Sequence, residues 1–138
     1  MTRIAVALAL VGGLCAATSA APDRDAKAGP VLAALEQKLH GEWTGQGPCT
    51  GEITFRADGT YERTHQGPAG TNSAGTWKMK WDALPPTLVL TCKTSDDPDA
   101  EGKILEIKVV QLDDEFLAFL HPNGPPSAKP TRFTRAKK

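Results

Sequence analysis

The chain has 138 residues, a length that fits one domain. Its 16 basic and 16 acidic residues cancel, so its charge gives no support to a nucleic-acid partner or to an acidic membrane partner. Hydrophobic residues make up 40% of the chain and charged residues 23%, so we expect it to fold rather than to remain disordered. The 13 glycines and 11 prolines predict many turns, and therefore many short elements.

Residues 1–20 have the layout of a secretory signal peptide. Arg3 gives the segment a positive start, an apolar run follows at 4–14, and the small residues at 18–20 suit signal peptidase. A buried N-terminal helix is the alternative interpretation. We expect cleavage after Ala20 and export to the periplasm or the extracellular space. We expect no transmembrane segment, because no apolar run is long enough to span a bilayer.

Export bears on the two cysteines that such cleavage leaves, Cys49 and Cys92. An even pair of cysteines in an exported domain predicts a disulfide. A metal-binding thiol pair is the alternative, and the wide separation without a C-x-x-C motif disfavours it. We expect neither a metal ion nor a cofactor.

The domain itself is expected to span 30–138, after a polar, mobile leader at 21–29. Pro30 suits the first turn of a helix. Leucines recur at helical spacing, at positions 32, 35 and 39, and predict one short amphipathic helix that covers a core.

From Gly41 onward the hydrophobic period is two, which is typical of strands. Asp58-Gly59 indicates a tight hairpin, and Pro85-Pro86 ends a strand. No stretch between strands is helical, so parallel crossovers are not expected. The predicted strands lie at 41–46, 51–56, 60–65, 75–81, 87–94, 103–112, 115–120 and 131–135. This pattern predicts an all-β fold, an antiparallel up-and-down barrel of about eight strands, closed so that no edge stays unpaired.

The first and last strands resemble those of small secreted bacterial lipocalin-like domains. Gly41-Glu42-Trp43 follows a short helix, as the G-x-W motif does in lipocalins. Arg135 lies in the last strand, where that family often places an arginine against the tryptophan. The segments 53–61 and 132–135 are similar to the same domains. The resemblance implies a β-barrel that binds a small molecule, but it does not imply one ligand.

The strand order supports the same pair of residues. In a closed antiparallel meander of even strand number, the end of the last strand lies beside the start of the first, so we expect Arg135 over the ring of Trp43. Phe133 shares a strand face with Arg135 and is expected to point inward with it. Two unrelated surface residues are the alternative, because a bulge easily changes which face a residue occupies.

Alternating strand direction assigns the connections to two ends of the barrel. The connections at 57–59, 82–86 and 113–114 are short and lie at the end where the helix enters, the short-turn end. The connections at 47–50, 66–74, 95–102 and 121–130 lie at the opposite end, the long-loop end. Loops on a rigid scaffold often carry function, so we expect binding at the long-loop end. Neutral variation in loop length is the alternative explanation.

Three residues of the strand at 60–65 are candidates for ligand binding. Tyr61, Arg63 and His65 share one face and rise toward the long-loop end. If that face points inward, they form a polar anchor for a carboxylate or another anion, with Arg63 as the donor. If the other face points inward, they are solvated. The free-energy cost of burying an unpaired charge favours this second interpretation.

Two further candidates are Trp77 and His121. Trp77 alternates with lysines at 78 and 80, which predicts a core position, and an aromatic wall for an apolar ligand is the alternative. His121 ends a strand at the long-loop end. The acidic residues between 96 and 101 predict a solvated loop, with a calcium site as the alternative.

No catalytic motif is present, so we do not expect an enzyme. Two classes of function remain open. One is an exported barrel that binds a small apolar or anionic ligand. The other is a structural or protein-interaction module of the cell envelope whose interior is packed and holds no ligand. A monomer is expected in both cases.

Overall fold

The computed structural model of the protein describes residues 29–45, 51–65, 70–121, 124–125 and 127–137. The predicted signal peptide, most of the predicted leader and Cys49 lie outside these ranges. The described elements are α1 (Pro30–Leu39), β1 (Gly41–Gly45), β2 (Gly51–Phe55), β3 (Thr60–His65), β4 (Ser73–Lys80), β5 (Thr87–Ser95), β6 (Ile104–Leu112), β7 (Phe116–Leu120) and β8 (Thr131–Arg135), with one 3-10 turn at Pro98–Ala100 between β5 and β6.

The eight strands form a closed barrel in which each strand pairs antiparallel with the next, and β8 pairs back with β1. The predicted all-β barrel with a short preceding helix is therefore confirmed. The predicted and observed strands agree closely, and β4 differs most because it begins at Ser73 rather than at Gly75. Ser73 and Ala74 carry no apolar alternation, but they still pair with β5. An even strand number places the long connections at one end.

A β-bulge between Ala74 and Gly75 shifts the register of β4 against β5. A Cβ at Gly75 would clash with the backbone carbonyl oxygen of Thr91, so this position requires glycine. Gly75 lies opposite Cys92 on β5 and opposite Tyr61 on β3, and the bulge shifts only the pairing of Ser73 and Ala74 with β5. The register of β4 with its two neighbours therefore places Tyr61 and Cys92 on either side of Gly75 inside the barrel.

The core lies inside the barrel, between the strands and the end of α1. Its buried apolar side chains form one cluster, and the five with the least exposure are Leu39, Trp43, Phe55, Leu88 and Leu117. All five lie close to the short-turn end, because they end α1 or β2 or lie near the start of β1, β5 or β7. The barrel is therefore packed most tightly where the helix enters.

Trp43 and Arg135 close the barrel at the short-turn end. They are directly opposite in the β1–β8 register, and the guanidinium carbon of Arg135 lies 4.2 Å from the centroid of the Trp43 ring. Such a contact contributes about 0.5–2 kcal/mol. Trp43 is fully buried, and its Nε1 donates to the Leu39 carbonyl at 2.8 Å. We call Trp43, Arg135 and their hydrogen bonds the closing clasp.

The guanidinium of Arg135 also binds three backbone carbonyls of the chain around it. Its Nη1 donates to His40 at 2.8 Å, its Nη2 to Lys38, and its Nε to Asp114 at 2.7 Å. Carbonyls at the end of a helix lack partners within the helix, so these bonds satisfy them. Gly41 completes the fit, because it has φ +123° and a Cβ there would lie 2.8 Å from Nη1.

We predict that Trp43→Ala lowers the free energy of unfolding by about 3–5 kcal/mol, the range for removing a large buried aromatic ring. The substitution also leaves the Leu39 carbonyl without its donor. Urea unfolding of the mature protein measures the change. Glu42→Ala is the matched control, because Glu42 is the exposed neighbour on the same strand. A loss below about 1 kcal/mol for Trp43→Ala would contradict the role of the clasp.

Candidate functional site

Above the core, toward the long-loop end, four side chains with polar groups share the interior face of neighbouring strands. Tyr61 lies opposite Gly75, which lies opposite Cys92, and Arg63 lies opposite Ser73. Residues that pair directly in antiparallel strands project on the same face of the sheet. We call Tyr61, Arg63, Ser73 and Cys92 the polar cluster.

The structure corrects the favoured interpretation of β3, in which Tyr61, Arg63 and His65 faced solvent. Tyr61 is only 4% exposed and belongs to the core cluster. An inward face on β3 was expected to bury the charge of Arg63. Arg63 instead lies higher on the strand and is exposed, so the strand faces inward without the expected desolvation penalty.

The phenol of Tyr61 is held in its neutral form. Burial is the main cause that raises the pKa of Tyr61 above its ordinary value, and the neighbouring Cys92 raises it further. A hydrogen bond with the Ser73 hydroxyl and the positive charge of Arg63 act in the opposite direction, and they are the weaker influences. The cluster therefore combines one exposed cation with a neutral phenol, a hydroxyl and the sulfur of Cys92.

Cys92 contributes a buried thiol to this cluster. It is a free cysteine in the structure, and its Sγ donates to the Thr94 carbonyl at 3.4 Å. The expected partner, Cys49, lies outside the described residues, so the disulfide stays a prediction.

His65 ends β3 above the polar cluster and is tied to the connection that follows. Its backbone N–H donates to Asn72 Oδ1 at 3.1 Å. The ring packs against Gly70, where a Cβ would clash with Nδ1, and this Nδ1 is buried without a hydrogen-bond partner. His65 is therefore a fixed part of the wall at the long-loop end.

Asn72 links two connections of the long-loop end. Its N–H donates to Asp96 Oδ2 at 3.2 Å, and its carbonyl accepts from the backbone of Asp96 and the hydroxyl of Ser95. These bonds hold the start of β4 against the end of β5. β4 and β5, which carry Ser73 and Cys92 of the polar cluster, are therefore held together at the long-loop end.

The acidic residues at 96–101 serve the backbone. Asp97 accepts from the N–H of Asp99 at 3.0 Å, and Glu101 accepts from the N–H of Ser95 at 3.3 Å. Across the described ranges, no three metal-ligating side chains come together. These carboxylates shape the connection between β5 and β6.

Trp77 and His121 do not join the polar cluster. Trp77 is 7% exposed and packs edge-on against Phe55 and His40, with its Nε1 donating to the Arg56 carbonyl at 3.1 Å. β4 runs from the long-loop end to the short-turn end. Trp77 lies in the half of β4 nearer the short-turn end, and it belongs to the core. His121 is exposed directly after β7, four strands away from β3 in the barrel order.

Ser73 and the interior position of Cys92 were not expected from the sequence. Ser73 shares the face of Gly75 and Trp77 on β4, so extending that alternation backward by two residues is the signal that identifies it. The proximity of Cys92 to Tyr61 depends on the register of β4 with β3 and β5, which places both residues opposite Gly75.

The comparisons with known proteins give no assignment. No protein-family model matches the chain, and neither do curated proteins or solved structures. No helix in the part of the chain that the structure describes is both long and apolar enough to cross a bilayer.

We predict an elevated titration midpoint for Tyr61, which is the one tyrosine of the chain, so the phenolate absorbance reports it alone. The midpoint should lie above about 10, the value for a free tyrosine. In the reduced protein Cys92→Ala should lower the midpoint, whereas Arg63→Gln should raise it, because Arg63 favours the phenolate. A midpoint at or below that of free tyrosine would show that the phenol is not buried.

The same shift predicts a dependence of stability on pH. The folded state binds the Tyr61 proton more tightly than the unfolded chain does, because the pKa is raised. This contribution is complete below a pH of about 10 and is lost as pH rises through the folded-state pKa. Urea unfolding across this range should show a smaller decline for Tyr61→Phe than for the unaltered protein. Equal declines would argue against the linkage.

Proposed function

We propose that the chain is an exported, lipocalin-like barrel that binds a small molecule at its long-loop end. The observation that carries this proposal is the polar cluster, which lies on the interior face directly above an apolar core. Small-molecule sites are concave, largely apolar, and contain a few polar groups that fix the ligand's orientation. The polar cluster supplies such polar groups, and the buried core beside it supplies apolar surface.

Two features support the family and the compartment within this proposal. The G-x-W motif and the last-strand arginine form the closing clasp, which is the contact that the resemblance to lipocalins implies. The signal-peptide pattern at 1–20 supports export. We infer binding rather than catalysis, because the Cys92 thiol, the strongest nucleophile of the cluster, donates to a backbone carbonyl and not to a general base.

Native mass spectrometry of the protein purified from its own host tests the proposal. We expect an additional mass that is lost when the protein is unfolded and refolded. NMR spectra of the two forms should then differ at the long-loop end, in His65, Asn72, Asp97 and His121. Asp58, Ala83 and Asp113 at the short turns serve as internal controls and should not move. Shifts confined to the short turns would refute the assigned site.

An apolar groove on the outer wall favours the alternative, a protein-interaction module. It is lined by residues of α1, of the β4–β5 connection and of β6, namely Leu35, Trp81, Pro86, Val109, Val110, Gln111 and Leu112. Val110 is 42% exposed, and Val31 on α1 is 70% exposed. Exposed apolar surface of this kind is typical of contact sites. Absence of a retained mass, with identical spectra before and after refolding, would support this second class.

We predict a disulfide between Cys49 and Cys92 in exported protein, because oxidising compartments pair an even set of cysteines. Thiol labelling of denatured, unreduced mature protein should modify no cysteine, and labelling after reduction should modify two. Cys92→Ser is the control, and it should leave one reactive thiol without reduction. Two reactive thiols in the unreduced protein would contradict the pairing.

A further inference from the structure

We propose that the ligand of this barrel is a compact organic carboxylate, bound through its carboxylate by Arg63. This inference rests on the proposed function and adds to it the chemical class and the size of the ligand. It comes from the distribution of charge between the inside and the outside of the barrel, and from the depth to which the interior is filled.

The first observation is that the strand carboxylates point outward. The described strands contain four glutamates, at positions 42, 52, 62 and 106, and all four are exposed. Glu62 pairs with Arg56 at 2.6 Å and Glu106 with Lys80 at 2.6 Å, both outside the barrel. The inner face of the barrel thus receives no negative charge from these strands.

The second observation is that Arg63 lies on the inner face without an acidic partner among the residues described. The ion pairs within those ranges are Lys38–Asp114, Arg56–Glu62 and Lys80–Glu106. Arg63 lies opposite Ile53 and Ser73. Its positive charge acts on the Tyr61 phenol, so the guanidinium lies near that side chain. Its guanidinium is therefore available to a ligand.

Arg135 shows what a structural arginine looks like in the same barrel. Its guanidinium donates to the carbonyls of Lys38, His40 and Asp114 and lies over the ring of Trp43. Every nitrogen of that group has a protein acceptor. Arg63 has no such set of hydrogen bonds in the described structure, so its role differs from that of Arg135.

The acidic connection at the same end of the barrel does not compete for Arg63. Asp96 accepts from Asn72, Asp97 from Asp99, and Glu101 from Ser95, in each case through a backbone N–H. These carboxylates are engaged in shaping the connection. Within the described ranges none of these carboxylates forms an ion pair with Arg63, so a ligand carboxylate meets a guanidinium that has no acidic partner there.

The chemistry of the cluster suits a carboxylate. A guanidinium presents two parallel N–H donors that match the two oxygens of a carboxylate. The hydroxyls of Tyr61 and Ser73 hydrogen-bond beside it, and the phenol remains a neutral donor at physiological pH. A ligand carboxylate would thus accept charge-assisted hydrogen bonds from Arg63. It would also accept hydrogen bonds from the neutral hydroxyls of Tyr61 and Ser73.

The packing below the cluster limits the size of the ligand. Tyr61, Ile53 and Leu90 are buried in the core cluster at this level, and Trp77 and Phe55 fill the barrel beneath them. A long apolar chain cannot descend into that space without displacing the core. The bound molecule must therefore be compact and lie near the mouth.

NMR titration of the mature protein with acetate, benzoate and hexanoate, each compared with its neutral amide, tests the proposal. We expect at least one carboxylate to shift Tyr61, Ser73 and His65, and its amide to bind at least tenfold more weakly. Benzoate and acetate should bind at least as tightly as hexanoate. Arg63→Gln should weaken carboxylate binding at least tenfold. Arg132→Gln is the matched control, because Arg132 is an exposed strand arginine on the outer face, and it should leave binding unchanged.

Three outcomes would overturn the inference. They are equal binding of acid and amide, unchanged binding by Arg63→Gln, and no binding by any of the three carboxylates. None of these outcomes contradicts the proposed function if the host-purified protein still releases a small molecule from the long-loop end. Loss of the proposed function itself would be seen separately, as the absence of a retained mass. The NMR spectrum of Arg63→Gln also verifies that this variant is folded.

Discussion

The guanidinium of Arg135 is the group on which the rest of this structure depends. It binds the end of α1, the turn between β6 and β7 and the ring of Trp43 at once, so it joins the helix to both strands of the closing seam. Removing it would leave the partly buried carbonyls at the end of α1 without these donors. The clasp closes the short-turn end, and the alternation of strand direction places the long connections at the opposite end.

The two ends of the barrel therefore have different physical roles. At the short-turn end, apolar side chains and hydrogen bonds supply stability, and each nitrogen of the arginine found there donates to a backbone carbonyl. At the long-loop end, hydrogen bonds through Asn72 hold the strands in place, while Arg63 has no acidic partner among the described residues. A rigid frame around such a cation is an arrangement suited to recognition, because little ordering remains to be done on binding.

Much of this architecture could be predicted from the sequence, because period-two alternation and turn residues define strands locally. The bounds of α1, the eight strands and the opposition of Trp43 and Arg135 all follow from such local patterns and from parity. The polar cluster could not be predicted, because it depends on the register of three strands, which local patterns do not determine. The inward face of β3 was misjudged because burial was assigned to the whole strand, whereas it falls on Tyr61 and not on Arg63.

The seam between β1 and β8 has a consequence for how the molecule comes into being. It joins positions such as Trp43 and Arg135, which lie near opposite limits of the described domain. A chain made from its N-terminus presents β1 as an open edge until β8 emerges, and each newly made strand is an open edge in turn. Nascent protein thus keeps two open edges until β8 is available, and the segment Thr131–Arg135 removes both of them in a single step.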